Sequence, residues 1–296
     1  MNRDLCSALK KEMDRRGLTQ TVVGRALNRS SATISQYLSG TYKGNITALE
    51  KRIKSFLESS ETRSLFHQDD LPFRLTSVAK RVMGIARLCQ VDGVIGLVVG
   101  DSGVGKTRAV REYQEQHPEA IVIDAFHHYR TKDVMSDLHK AVNLSGEGTV
   151  QKMFRDVVER LKNSERLVVI DEAEHVNLAT LDLLRRLNDF AGVGVLYVGL
   201  PRFREDVSSK SGDYEYIKSR IVVPATLKRL TLSDTESLVE TRIPSANGLC
   251  KVFHQCSAGN GRRLRNLLNN AVRVAGHNGG KVTAEIVEAV QKELTV

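Results

Sequence analysis

Residues 100 to 107 read Gly100-Asp101-Ser102-Gly103-Val104-Gly105-Lys106-Thr107, three glycines among small and charged residues, closed by a lysine and a hydroxyl. Such a run can hold a chain of phosphates. Glycines let the backbone turn its N–H groups inward, and a helix that starts after the loop points its positive end at the same anion. Lys106 can reach the β and γ phosphates, and the Thr107 hydroxyl is a hard oxygen ligand for Mg²⁺. A chance glycine turn before a helix is the alternative. Against it, the apolar run Val94 to Val99 supplies the strand that must precede such a loop, so strand, loop, lysine and hydroxyl are in register.

A second run, Leu167-Val168-Val169-Ile170-Asp171-Glu172-Ala173-Glu174-His175, sets carboxylates at the end of four apolar residues. A buried strand there delivers Asp171 to a position from which it can hold the same Mg²⁺ through water. Glu172 comes next and can orient and polarise an attacking water as general base, with Glu174 the next candidate for that role. Read alone, Asp171 and Glu172 could equally be solvated charges capping a strand. Downstream of a phosphate loop, nucleotide hydrolysis is the better reading.

A phosphate loop followed by a strand ending in Asp-Glu-Ala-Glu-His resembles the AAA+ ATPases, particularly the transposon target-selection ATPases related to the phage Mu B protein, over residues 74 to 296. The resemblance implies ATP and Mg²⁺ held between neighbouring subunits of an oligomer or filament, a residue supplied in trans, and a transposase as partner. In Ile217-Lys218-Ser219-Arg220-Ile221, Arg220 is placed like the arginine finger of that pattern, a fixed charge that stabilises the γ phosphate. A surface arginine before a strand is the other reading. In Gly259-Asn260-Gly261-Arg262-Arg263-Leu264, Arg262 is similar to the sensor arginine of AAA+ lids, with Arg263 as the fallback. Leu264, Leu267 and Leu268 have helical spacing, so these arginines sit on a helix, either at the nucleotide or on a solvated, DNA-facing surface. One departure stands out: Val195-Leu196-Tyr197-Val198-Gly199-Leu200-Pro201 offers no Asn or Thr for the polar sensor at the end of the fourth strand.

Residues 20 to 39 resemble a repressor-type helix-turn-helix. Gly24 is the small residue where two helices approach, Asn28 can take the left-handed turn, and Ile34 with Leu38 anchors the second helix. Thr33, Ser35 and Gln36 would then face the major groove, with Arg29 and Lys43 available to phosphates. Such a unit can also serve as packing or as a protein-docking module. A single copy supplies few base contacts, so weak, largely sequence-tolerant DNA binding is expected.

These groups need a sheet to position them. Candidate strands Val94 to Val99, Ala120 to Asp124, Leu167 to Asp171, Val193 to Gly199 and Ile221 to Ala225 alternate with helical stretches, the pattern of a parallel sheet wrapped by helices. Beyond Leu230 strand signals stop, and segments from near Ser233, Ala246, Gly261 and Thr283 read as helices. The expected fold class is α/β: an AAA+ P-loop parallel sheet with a helical C-terminal lid, preceded by a small all-α helix-turn-helix domain. Expected boundaries are 1–60 for the helix-turn-helix domain, 61–73 for a linker carrying Ser, Asp and Pro without periodicity, 74–229 for the nucleotide-binding core and 230–296 for the lid.

The formal charge is +9 over 296 residues, and its distribution is uneven: residues 1–64 hold 12 Lys/Arg against 6 Asp/Glu, whereas residues 65–227 hold 22 against 23. That suits a polyanionic partner at the basic ends without identifying one. Cys6, Cys89, Cys250 and Cys256 have no zinc-finger spacing and read as reduced thiols, and the eight histidines, His127 and His128 included, give no metal spacing. No apolar run is long enough for a membrane span and the first residues are too polar for a secretory signal, so a cytoplasmic protein without a membrane partner is expected. The function expected is a DNA-binding ATPase, largely indifferent to sequence, that oligomerises on DNA and delivers it to a transposase. The alternatives are an ATP-gated helix-turn-helix transcriptional regulator and a replicative helicase loader.

Overall fold

Capping residues set the first helices. In the computed structural model Asn2, Thr19 and Ser30 accept backbone N–H groups at the starts of α1 (Arg3–Arg16), α2 (Gln20–Ala26) and α3 (Ser31–Ser39), and Gly17 and Gly40 end α1 and α3 in left-handed conformations. Helix α4 (Ile46–His67) follows. The structure describes residues 2–67, 71–208, 214–244, 246, 248–277 and 280–294, and it divides into two units, Met1–Asp70 and Leu71–Val296. The first unit packs Leu9, Val23, Ile34, Tyr37, Leu49 and Ile53 into its own core. Residues 61–67, expected to be linker, instead continue α4, because nothing between residues 46 and 67 is a Gly or Pro that would stop the helix. The expected linker residues 68–70 lie outside the described residues.

In the second unit five parallel strands form one sheet in the order β2-β3-β4-β1-β5: β1 (Ile95–Val99), β2 (Ile121–Asp124), β3 (Leu167–Asp171), β4 (Gly194–Gly199) and β5 (Ile221–Thr226). Each lies within a residue or so of its sequence-based expectation. The three central strands are buried along their whole length, which is why they read as unbroken apolar runs rather than alternating ones.

Alternate residues feed two cores. Val168 and Ile170 pack with α7 (Thr131–Ala141), α8 (Val150–Leu161) and α9 (Leu178–Ala191), whereas Leu167 and Val169 join the core lined by α5 (Ser77–Asp92) and α6 (Lys106–Gln116). Short helices α10 (Pro201–Ser208) and α11 (Glu215–Lys218) connect β4 to β5. The lid comprises α12 (Leu232–Val239), α13 (Leu249–Ser257), α14 (Gly261–His277) and α15 (Ala284–Leu294), and its Phe253, Leu264, Leu268 and Val287 extend the second core. Buried Asp234 clamps lid to sheet domain: its carboxylate accepts from Ser77 N and Oγ (2.7 and 2.6 Å) and from Thr231 N and Oγ1 (2.9 and 2.8 Å). Among the described residues no helix is long and apolar enough to cross a membrane.

Candidate nucleotide site

Parallel strands point their C-terminal ends the same way. Val99 lies opposite Gly199 and Ile170 opposite Tyr197, so the phosphate loop, Asp171-Glu172 and the end of β4 meet at one edge of the sheet. The loop leaves β1 at buried Gly100 and turns through Gly103 (φ 79°) and Gly105 (φ 110°), conformations in which a side chain would be strained. Val104 is buried as its anchor, while Asp101 and Ser102 are exposed. Lys106 opens α6 and folds back, its Nζ donating to the Gly100 and Asp101 carbonyls at 2.6 and 3.0 Å. Burial pushes its ammonium below the ordinary lysine range, while the charges of Asp171, Glu174, Glu172 and Asp101 act to hold it up.

Asp171 is buried at the end of β3, and burial pushes its carboxyl up. Hydrogen bonds from the Thr107 hydroxyl and the Glu172 N–H resist that shift, whereas the charges of Asp124 and Glu172 add to it. A carboxylate disfavoured as an anion, bonded to a hydroxyl, is a pair of hard oxygens that a divalent cation would stabilise, so Thr107 and Asp171 fit Mg²⁺. Glu172 is exposed with φ 55°, and its Oε2 lies 3.6 Å from His175 Nε2. Glu174 turns inward instead, its Oε2 accepting from Leu200 N at 3.1 Å. His127 and His128 follow β2, and the His127 ring packs edge-on to His175 at 5.9 Å.

The lid closes on the loop. Asn260 Nδ2 donates to Ser102 O at 2.7 Å, and Arg262 N donates to Gly103 O at 3.1 Å. Arg263 lines a cleft of about 420 Å³ with Asp101, Ser102, Leu200, Arg202, Arg229 and Asn260, and the Arg262 Cβ lies beside Gly103 of the loop. Arg229 Nε bonds Asp101 Oδ2 at 3.1 Å. Arg220 is not brought to this edge. It precedes Ile221, which lies opposite Ile95 at the start of β1, and it pairs with Asp189 at 3.5 Å. From Ile95 to Val99 a strand rises roughly 13 Å, so Arg220 cannot reach the phosphate loop of its own chain.

In the N-terminal unit Asn28 takes the left-handed turn (φ 51°), and a Cβ on Gly24 would stand 2.7 Å from Arg29 O, so only glycine fits there. Ile34 and Tyr37 are the fully buried anchors of α3, and the expected anchor Leu38 packs against the same core while partly buried. Arg29, Ser35, Gln36 and Lys43 are exposed, while half-buried Thr33 shares a 2.9 Å hydrogen bond with Ser30 Oγ.

Sequence reasoning missed Asn260, Arg229 and Arg202. The one available signal was Gly259-Asn260-Gly261, a turn with an N-capping residue just before a helix.

Residues 91–206 match the family model described as AAA domain. The chain is 23% identical to the Haemophilus influenzae "Mu-like prophage FluMu DNA transposition protein B", covering 80% of this chain and 84% of that protein. It is 22% identical to the Escherichia phage Mu "ATP-dependent target DNA activator B", covering 98% of this chain and 95% of that protein. Among solved structures, the Aeropyrum pernix ORC2 protein superposes with a TM-score of 0.60 at 16% identity, covering 78% of this chain and 72% of that protein in its ADP form. The fold is that of AAA+ P-loop proteins, and the chain resembles the Mu-type transposition B proteins along most of its length.

Proposed function

We propose that this AAA+ chain, similar along most of its length to Mu-type transposition B proteins, is a Mg²⁺-dependent ATPase that assembles on DNA and presents it to a transposase. The hydrolytic part rests on one observation: Lys106, Thr107 and Asp171 converge at the edge where β1 and β3 end. Gly100 to Thr107 wrap the phosphates, Lys106 exchanges its loop carbonyls for the β and γ phosphates, and Thr107 and Asp171 hold Mg²⁺. The metal, when bound, neutralises charge on the phosphates. Glu172 leaves His175 and takes the proton of an attacking water. That water's oxygen bonds to the γ phosphorus as the bond to the bridging oxygen breaks, and the bonding pair leaves with ADP.

Arg220, out of reach of its own loop, suits a neighbour's γ phosphate, which supports a homo-oligomer. Arg262 and Arg263 are offered as the lid's contacts to nucleotide. Exposed Arg29, Ser35, Gln36 and Lys43, together with Thr33, are offered as DNA contacts of the N-terminal unit. DNA and transposition are printed in the relatives' names, and a transposase partner and work in the cytoplasm are offered with that reading.

The test is ATP hydrolysis by the full chain with and without DNA, run beside size analysis. DNA-stimulated turnover with ATP-dependent growth in size is expected. Absence of hydrolysis under both conditions would reject the ATPase reading, and a tight footprint at one palindrome would favour a transcriptional regulator.

A further inference from the structure

Glu174 has one oxygen accounted for and one not. Its Oε2 accepts the Leu200 N–H, joining the turn after β3 to the end of β4. Its Oε1 is cut off from solvent and has no hydrogen-bond partner among the described residues. A buried carboxylate oxygen left without a donor is costly, so a donor absent from the bare protein is expected to complete it. The surroundings say which. Gly199 presents no side chain where β4 ends, and a Cβ there would stand 2.6 Å from Glu174 Oε2, so the carboxylate occupies the space that a residue at this position would fill. A carboxylate oxygen each of Glu174 and Glu172 and a ring nitrogen of His175 lie within 4.8 Å of one another, which sets Glu174 beside the proposed base.

We propose that Glu174 is a positioning residue for hydrolysis: anchored by Leu200 N–H and covered in the bare protein, its carboxylate is uncovered when nucleotide brings water to the cleft, and Oε1 then accepts a hydrogen bond from the water that Glu172 deprotonates. Two acceptors then hold that water's two hydrogens and aim its lone pair at phosphorus. This rests on the ATPase reading above.

Glu174→Gln separates the roles. Its amide oxygen keeps the Leu200 bond and the shape, but an NH₂ donor replaces the Oε1 acceptor. ATP affinity and melting temperature should stay within error of the wild type, with KM within about twofold and kcat down about tenfold to hundredfold, the value of one transition-state hydrogen bond. Gly199→Ala pushes on Oε2 from the other side and should lower kcat in the same direction. Wild-type kcat in Glu174→Gln, in a preparation where Glu172→Gln is inactive, would overturn this inference and leave the ATPase reading standing. Reduced melting temperature and ATP affinity with kcat unchanged per bound nucleotide would also overturn it, since that is what a purely structural strut between β3 and β4 gives. A wild-type chain that hydrolyses no ATP removes the reading beneath it.

Discussion

Lys106 Nζ already donates to two loop carbonyls, contacts that a phosphate would replace, so the cation is placed before nucleotide arrives. Lys106→Ala removes a charge-assisted hydrogen bond and should weaken ATP binding about tenfold to hundredfold, with stable DNA binding lost alongside, as checked by fluorescent-nucleotide titration. Glu172 is different, exposed and turned toward His175 in the bare protein. Glu172→Gln keeps its shape, so ATP binding should persist while turnover falls about 10²- to 10⁴-fold, the usual range for a lost general base, and assemblies on DNA should outlive those of the wild type. Unchanged turnover would move the base elsewhere.

Helix ends carry the next set of effects. Asp234 caps α12 and also holds Ser77 at the start of α5, so one carboxylate joins lid and sheet domain. Burial alone would raise its pKa, but hydrogen bonds from Ser77 and Thr231 outweigh that and hold it below the usual carboxylate range. A depressed folded-state pKa means that its stabilisation is complete above the unfolded value near 4 and disappears as pH falls through the folded value. Asp234→Ala should therefore lower the melting temperature at pH 7 by about 5–10 °C, consistent with roughly 2–3 kcal/mol for a buried, multiply bonded carboxylate, and the gap from wild type should narrow toward pH 3. A constant gap across that range would assign the loss to packing. At the other end of the lid, a Cβ at Gly103 would sit at φ 79° and 2.6 Å from Asn260 Oδ1. Gly103→Ala should thus weaken nucleotide binding while leaving the fold intact by circular dichroism.

Assembly is decided at the scale of the whole molecule. If Arg220 acts on a neighbour, Arg220→Ala and Lys106→Ala chains, each inactive alone, should regain part of the turnover when mixed, because the second supplies the arginine to the first one's intact loop. No recovery at any ratio would return Arg220 to its pair with Asp189 as a structural contact. The unit Met1–Asp70 holds its own core, so a chain starting at Leu71 should keep ATPase activity. Losing that basic unit should weaken DNA binding and flatten its dependence on salt through fewer released counterions, with binding partly restored by ATP if many weak contacts add along a filament.

By itself the sequence determined the five strands, the glycine-rich turn at 100–107 between strand and helix, and the place of Asp171-Glu172 at a strand end, since each is written in one contiguous stretch whose apolar run, glycines and charges leave little conformational choice. Only the tertiary structure decided that Asn260 bonds Ser102 from 158 residues away, that Asp234 holds Ser77 across 157, and that Glu174 fills the space beside Gly199. A strand's period of two says which face a residue takes but not which strand lies beside it, and those partners depend on the order β2-β3-β4-β1-β5. The same holds for Arg220. Its distance from its own phosphate loop follows from the parallel register of β5 against β1, which sets Ile221 opposite Ile95, and no local pattern around Arg220 records that pairing.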